Sequence, residues 1–180
     1  MARINPLTPP YDPDVESDLI KIMPPGVEPL KLFKTVAHNP RILKKFMSSN
    51  LLDRGSIDWR DREILILRTC ARCGTENEWG VHVIFFSNRV GLTEDQVAAT
   101  VKGDHNDPAW SQQDGLLIHL ADELHDTSHV SDDLWESLAK HWEPPQLIEF
   151  IAVVGFYHTV SFMINAAGIE LEDWAPRFPS

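Results

Sequence analysis

Three side chains capable of proton transfer lie within twenty residues of one another: Glu63, Glu78 and His82. Glu78 and His82 are four residues apart, so on a helix their side chains lie on the same face. A carboxylate can orient one nitrogen of an imidazole and raise its basicity, which leaves the other nitrogen to face a substrate. A surface ion pair has the same spacing. The spacing alone therefore gives equal weight to a proton-transfer site and to a solvated ion pair.

Two cysteines, Cys70 and Cys73, form a CxxC pair in the same segment. At the predicted C-terminal end of a helix the dipole disfavours a thiolate, although Arg68 and Arg72 could compensate. A zinc site made of both cysteines and His82 would lack a fourth ligand at a familiar spacing. Packed, unreactive thiols are therefore favoured, a redox pair is the alternative, and neither a metal nor a cofactor is expected.

Two predicted helices must position these groups. The first begins after the N-cap candidate Asp58 and runs from Trp59 to about Cys73, where Gly74 ends it. The second begins near Thr75 or Asn77 and continues to Gly91.

The remaining chain also follows helical periodicity. Apolar residues recur every three or four positions, which predicts helices over residues 14–23, 30–36, 40–52, 93–103, 110–126, 131–142 and 146–167. Residues 1–13 contain four prolines and are expected to form an extended arm. A turn is expected at Pro24-Pro25-Gly26. No segment alternates with period two, so the sequence predicts a single all-α domain over residues 14–180.

Composition restricts the partners of this 180-residue chain. A formal net charge of −11 argues against nucleic acid and anionic membranes, because both attract basic surfaces. The N-terminus has no apolar signal segment, and no apolar run reaches the roughly 18 residues of a spanning helix. A soluble, cytoplasmic protein with a small-molecule substrate is expected. The nearly all-round apolar segment 147–163 indicates a helix enclosed by others or shared between subunits.

Four segments carry a resemblance to a known family: AHNPRILKKF, RDREILILRTCARCGTENEWGVHVIFFSNRVGLTEDQV, LADELHDTSHVSDDLW and QLIEFIAVVGFYHTVSFMINAAGIELE. They resemble the carboxymuconolactone decarboxylase family, which shares its all-helical fold with the alkylhydroperoxidase D-like proteins. The resemblance implies an alkylhydroperoxidase D-like helical bundle that forms homo-oligomers, most often trimers or hexamers.

The resemblance also bears on the cysteines. The thiol peroxidase branch carries a glutamate, eleven residues, a cysteine, two residues, a second cysteine, three residues and a histidine. With His82 as that histidine, Glu63 matches the glutamate, but Thr75 and Glu78 stand where the cysteines should be. The CxxC of this chain is displaced by five residues. The sequence is therefore more similar to the decarboxylase-like branch, which works by acid–base chemistry without a redox thiol.

The favoured hypothesis is a cofactor-free lyase or isomerase that transfers protons on a small lactone or carboxylate. His82 is expected to donate or accept the proton, and Glu78 to orient the His82 ring. Glu63 is expected to act as a second acid–base group. The expected substrate-binding side chains are Arg68, Trp79, Phe85 and Tyr157. The alternatives are a hydroperoxide reductase that uses Cys70 and Cys73, and a non-catalytic oligomeric protein.

Overall fold

A computed structural model describes residues 2–24, 26–49 and 51–180 of the chain. Throughout these residues the regular structure is helical and no strand occurs. The α-helices are α1 (Pro13–Ile22), α2 (Lys31–Val36), α3 (Pro40–Ser48), α4 (Trp59–Arg72), α5 (Glu76–His82), α6 (Glu94–Lys102), α7 (Gln112–Thr127), α8 (Asp132–Leu138) and α9 (Pro144–Ala167). The predicted all-α class is confirmed. Met1 of the predicted arm and Pro25 of the predicted turn lie outside the described residues.

Helix α4 lies at the centre of the bundle. Its residues Ile64, Leu65, Ile66 and Leu67 are consecutive, so they point in all directions around the helix, and all four are fully buried. Such burial requires neighbours on every side, and α5, α6, α7 and α9 all pack against α4. The charged residues that share this helix therefore enter the protein interior with it.

A tight turn joins α4 to α5. Gly74 adopts a φ of 64°, and the amide of Thr75 donates to the carbonyl of Cys70 at 2.8 Å, which closes the helix end. Helix α5 then runs antiparallel to the end of α4 and carries Glu78 and His82 back along it. The turn thus places two acid–base residues beside Glu63.

The continuation of α5 differs from the expected α-helix to Gly91. Residues Val83–Ser87 form a π-helical turn, and the chain leaves the helix after it. An extra residue in the turn rotates the following side chains relative to an α-helix, and such turns are frequent at functional sites. Phe85 and Phe86 lie in this segment.

Two other predicted boundaries are corrected. Helix α3 ends at Ser48 and not at Leu52, because Leu51 adopts a positive φ of 53° that an α-helix does not accept. Helix α8 ends at Leu138, and Trp142 lies beyond it with its ring edge-on to Phe150.

Helix α9 has one buried side and one exposed apolar side. Phe150, Val153 and Tyr157 are buried, whereas Ile148 and Phe162 are 67% and 66% exposed. Contrary to the expectation from the sequence, one helix of the described residues, α9, is long and apolar enough to cross a membrane by length and composition. Core helices of soluble proteins pass the same test. The exposed side is the feature that needs an explanation.

The N-terminal segment packs on the same chain. The amides of Arg3 and Ile4 both donate to the carbonyl of Ala167, at 2.9 and 3.2 Å, and that of Leu7 donates to Lys34. These bonds hold the segment across the C-terminal end of α9.

Two glycines on helices should respond in opposite ways to alanine. A Cβ at Gly80 would lie 2.4 Å from the backbone oxygen of Pro176, whereas a Cβ at Gly155 meets nothing within 4 Å. We expect Gly80→Ala to lower the free energy of unfolding by about 1–3 kcal/mol through overpacking. Gly155→Ala should raise it by about 0.5–1 kcal/mol through helix propensity. Urea denaturation measures both, and equal effects would contradict the packing of the C-terminal segment on α5.

Candidate active site

A buried hydrogen bond between Glu63 and His82 forms the centre of the site. Nδ1 of His82 lies 2.7 Å from Oε2 of Glu63, and both side chains are almost completely buried. Glu63 comes from α4 and His82 from the last turn of α5. Because a carboxylate oxygen can only accept, Nδ1 carries the hydrogen of this bond. Nε2 of His82 is the nitrogen left to face other groups.

Arg62 holds the second oxygen of Glu63. Its Nε and one terminal nitrogen each lie 3.2 Å from Oε1 of Glu63, and the guanidinium lies 5.8 Å from the centre of the Trp59 ring. Helical spacing does not predict this contact, since neighbouring residues on a helix do not normally face each other. The long arginine side chain bends back to the neighbouring carboxylate. Glu63 is thereby fixed as an anion between two donors.

Tyr157 and Glu78 meet the other side of His82. The hydroxyl of Tyr157, on α9, lies 3.1 Å from Nε2, and Oε1 of Glu78 lies 3.5 Å from the same nitrogen. The second oxygen of Glu78, Oε2, is buried and has no hydrogen-bond partner among the described residues. The structure brings together all three predicted acid–base residues, but Glu63 makes the close orienting contact that was expected of Glu78.

The charges of the cluster compensate one another. Burial favours the neutral form of His82, but the charges of Glu63 and Glu78, and its hydrogen bonds with them, outweigh burial and raise its pKa to about 9. At neutral pH the imidazolium and the Arg62 guanidinium balance the two carboxylates. Burial raises the pKa of Tyr157 well above its ordinary value, so its hydroxyl remains protonated. The cluster therefore contains both a proton donor and a carboxylate with a free oxygen.

Phe86 covers the imidazole. Its ring centre lies 5.0 Å from that of His82, and Phe86 itself is half-buried. A cavity of about 310 Å³ lies on the neighbouring surface and is lined by Trp79, Val83 and Ser87 among others, but not by His82. In this conformation His82 is buried and does not line the cavity, so a substrate could reach it only after side chains around it, such as Phe86, rearrange.

The expected role of Arg68 in binding a substrate carboxylate is corrected. Its guanidinium makes a bidentate pair with Asp122, at 2.7 and 2.8 Å, and donates to the carbonyls of Thr100 and Gly103. Four of its five N–H donors are used in these bonds. Arg68 is thus a buried link between α4, α6 and α7.

Trp79 and Phe85 lie beside the cluster and do not contact its polar atoms. The indole nitrogen of Trp79 donates to Oγ1 of Thr100 at 2.9 Å, and its ring packs against Phe178. Phe85 contacts the rings of Phe86 and Trp174. Trp79 lines the neighbouring cavity, and Phe85 supports the covering Phe86. Among the four expected substrate-binding residues, Tyr157 alone contacts His82.

The two cysteines lie in different environments. Cys70 is fully buried, and burial together with the Glu78 charge raises the pKa of its thiol well above the ordinary value. Cys73 is half-buried at the end of α4, with its sulfur 3.7 Å from Nδ1 of His125. Both are free thiols. Cys70 therefore lacks the thiolate character that a peroxidatic cysteine needs.

Comparison with solved structures defines the fold. A peroxidase-related protein from Silicibacter sp. TM1040 superposes with a TM-score of 0.81 at 13% identity, over 97% of this chain and 93% of that one. A structure of the alkylhydroperoxidase AhpD core from Ralstonia eutropha JMP134, also peroxidase-related, superposes with a TM-score of 0.71 at 15% identity, over 94% and 93%. The chain has the alkylhydroperoxidase D-like fold. The resemblance inferred from the sequence is thus confirmed at the level of fold.

The same fold includes an enzyme of a different kind. The debrominase Bmp8 superposes with a TM-score of 0.77 at 13% identity, over 94% of this chain and 92% of that one. No protein-family model matches the sequence, and no curated protein matches it. An alkylhydroperoxidase D-like fold does not define one reaction, so the chemistry must be argued from the side chains.

The raised pKa of His82 predicts how stability depends on pH. A histidine with an ordinary pKa of 6.5 in the unfolded chain and about 9 in the folded protein stabilises the fold fully below pH 6.5. This contribution is lost as the pH rises through 9. We expect wild type to lose on the order of 3 kcal/mol relative to His82→Gln between pH 6.5 and 9.

Urea denaturation of both proteins at several pH values measures this difference, in which the titration of other groups largely cancels. A difference that does not change with pH would contradict a charged His82.

Proposed function

We propose that this protein is a cofactor-free acid–base enzyme, a carboxymuconolactone decarboxylase-like lyase or isomerase acting on a small lactone or carboxylate. The observation that carries the proposal is the buried, unpartnered Oε2 of Glu78 next to His82. A buried carboxylate oxygen without a donor costs free energy, and such groups in folded proteins call for an explanation. A base placed to take a proton from a substrate is one such explanation.

The surrounding contacts support separate roles for the two carboxylates. Glu63 is bonded to both Arg62 and His82, so it is held as an orienting anion. Within the part of the chain that the structure describes, Glu78 has the 3.5 Å contact with His82 and keeps its other oxygen without a hydrogen-bond partner. Two carboxyl groups in unlike environments are a common way to divide acid–base work. Glu78 is therefore the proposed base, and His82 the proposed acid.

Isomerisation would begin with proton removal from a carbon next to a carbonyl. Glu78 takes the proton, and the electron pair of the C–H bond moves into the carbonyl to form an enolate. The enolate oxygen accepts hydrogen bonds from the Tyr157 hydroxyl and from Nε2–H of His82. Return of the proton to a different carbon completes the reaction and restores the Glu78 carboxylate.

Decarboxylation would use the same groups in another order. The bond between the substrate carbon and its carboxylate breaks, CO₂ leaves, and the electron pair remains on the enolate. His82 then gives its Nε2 proton to carbon and is reprotonated from solvent. Both routes need a site from which water is excluded, and the buried cluster, against which Phe86 packs, is suited to that need.

A small cyclic substrate is also supported by the fold. A cysteine-to-alanine variant of the debrominase, with a TM-score of 0.75 to this chain, has been crystallised with 2,3,4-tribromopyrrole. That molecule is a five-membered ring, as a lactone can be. The comparison concerns size and shape only, because the present chain carries Thr75 and Glu78 at the positions that match the cysteines of the thiol-dependent pattern.

Substitution of the acid and the base tests the mechanism. In D₂O, wild type should catalyse hydrogen–deuterium exchange at the carbon next to the carbonyl in one or more of a panel of carboxymuconolactone and related γ-lactone acids. Glu78→Gln and His82→Gln should each lower the exchange rate by about 10²- to 10⁴-fold. Proton NMR follows exchange and any CO₂ loss. The exposed-histidine variant His141→Gln is the matched control and should retain the wild-type rate.

Unchanged turnover in both variants would contradict the assignment. The thiol-dependent alternative is tested with the same protein. Reduced wild type and a Cys70→Ser/Cys73→Ser variant are mixed with an alkyl hydroperoxide, and thiol loss is followed. Rapid peroxide consumption that disappears in the variant would replace the lyase proposal by a hydroperoxide reductase. Because the thiol of Cys70 is buried and its pKa is raised, we expect no such consumption.

We also propose that the protein forms homo-oligomers through the exposed apolar side of α9. Ile148 and Phe162 are each about two-thirds exposed, and Ile151 is 37% exposed between them. An apolar surface of this kind along one helix is typical of an interface.

Glutamate at these positions tests the interface. Ile148→Glu and Phe162→Glu should shift the mass measured by light scattering towards a single chain, because each would bury an unpaired charge in the contact. Ile20→Glu, at an equally exposed isoleucine on α1, is the control and should leave the mass unchanged. Identical masses for all the proteins would contradict the proposed interface.

A further inference from the structure

A second cluster of chemically capable side chains lies at the other end of α4. Cys73 follows the last turn of α4, His125 lies in the last turn of α7, and His158 lies in the middle of α9. One ligand atom from each residue lies within 4.8 Å of the other two, and all three side chains are half-buried. None of these residues takes part in the Glu63–His82 cluster.

A hydrogen bond to the backbone fixes the orientation of the His158 ring. Its Nδ1 lies 2.8 Å from the carbonyl oxygen of Val154, and since that oxygen can only accept, Nδ1 carries a hydrogen. The neutral ring therefore presents the lone pair of Nε2, which lies 3.0 Å from Nδ1 of His125. Metal-binding histidines characteristically donate their other ring nitrogen to a carbonyl or carboxylate in this way.

Two of the three separations between these atoms are close to those in a metal's coordination shell. Tetrahedral zinc, with Zn–N of about 2.05 Å and Zn–S of about 2.3 Å, sets its nitrogen ligands roughly 3.3 Å apart and its sulfur roughly 3.6 Å from each nitrogen. Here the two nitrogens are 3.0 Å apart, and Sγ of Cys73 lies 3.7 Å from Nδ1 of His125. Shifts of a few tenths of an ångström would bring these two distances to the tetrahedral values, and the third, between Sγ of Cys73 and a ring nitrogen of His158, lies within 4.8 Å.

From this arrangement we infer that Cys73, His125 and His158 form a binding site for Zn²⁺ or a similar divalent transition metal. Binding replaces two hydrogens: the thiol proton of Cys73 leaves to solvent, and the proton on Nδ1 of His125 moves to Nε2. Water supplies the fourth ligand from a cavity of about 380 Å³ that both histidines line. The metal then links α4, α7 and α9.

The nearby charges are compatible with a cation. Arg72 precedes Cys73, but its guanidinium is paired with Asp126 at 2.5 Å and with Asp122 at 3.4 Å. Its positive charge is therefore compensated by two carboxylates. This set differs from the zinc ligands considered in the sequence, because Cys70 and His82 lie within or against the buried acid–base cluster. Cys73 and His125 are 52 residues apart, and His125 and His158 are 33 residues apart, so no short sequence motif indicates this site.

Metal titration of the purified, reduced full-length chain tests the site. After chelator treatment and dialysis, we expect one Zn²⁺ per chain by calorimetry, release of a proton, and a rise in Tm. Co²⁺ should give a thiolate-to-metal charge-transfer band together with the visible bands of a tetrahedral site. Cys73→Ser, His125→Gln and His158→Gln should each weaken binding by at least about 10-fold, because a loss of that size follows even when a residue that only hydrogen-bonds to a metal ligand is replaced.

Two variants serve as matched controls: Cys70→Ala removes the other thiol, and His141→Gln removes an exposed histidine outside the cluster. Both should bind the metal as wild type does. If a ligand variant folds poorly, wild type alone still tests the inference. Bound Zn²⁺ must slow the labelling of Cys73 by iodoacetamide, which mass spectrometry of the digested protein measures. Absence of stoichiometric binding, a Co²⁺ spectrum without the thiolate band, or binding that persists in all three ligand variants would overturn the inference.

Discussion

The buried carboxylate of Glu63 is the constraint on which the surrounding structure depends. An unpaired charge in the interior costs several kcal/mol, so a carboxylate with no exposed surface must be matched by donors. Arg62 and His82 supply them from two directions. The position of α5 against α4 follows, because only an antiparallel return after Gly74 brings His82 within 2.7 Å of Glu63.

Because Arg62 and Nδ1 of His82 both bond to Glu63, the free-energy cost of burial that remains uncompensated is that of Glu78. His82 becomes a cation between two carboxylates, and Glu78 is left with a buried oxygen to which no group of residues 2–24, 26–49 and 51–180 donates. A purely structural network could avoid that cost with glutamine or leucine at this position. The imbalance is therefore local to Glu78, on the same side of His82 as the Tyr157 hydroxyl, since both contact Nε2.

Much of the fold could be predicted from local sequence signals. Thr93 and Ser131 act as N-caps as their sequences indicate, and α4 begins and ends within a residue of its expected limits. The features of the fold that could not be predicted depend on long-range packing. The π-helical turn after His82 and the end of α3 before Leu51 have no strong local signal, since the apolar pattern continues through both.

The candidate site was predictable in its membership and less so in its contacts. Glu63, Glu78 and His82 converge as expected, but helical spacing could not show that the residue nineteen positions away, Glu63, makes the closer bond. Arg68 was expected to bind substrate, and its contacts give it a structural role instead. Four of its five N–H donors are engaged by Asp122 and two carbonyls, which only the packing of α6 and α7 on α4 reveals.

Helix α9 joins the two clusters. Tyr157 and His158 are consecutive, so their side chains point about 100° apart around the helix, one towards His82 and the other towards Cys73. A displacement of α9 that alters the 3.1 Å contact between Tyr157 and His82 must also move His158 away from His125. A metal held by Cys73, His125 and His158 would oppose such a displacement. The geometry of the proton-transfer cluster and that of the thiol–imidazole cluster are thus set by the same packing of α9 on α4.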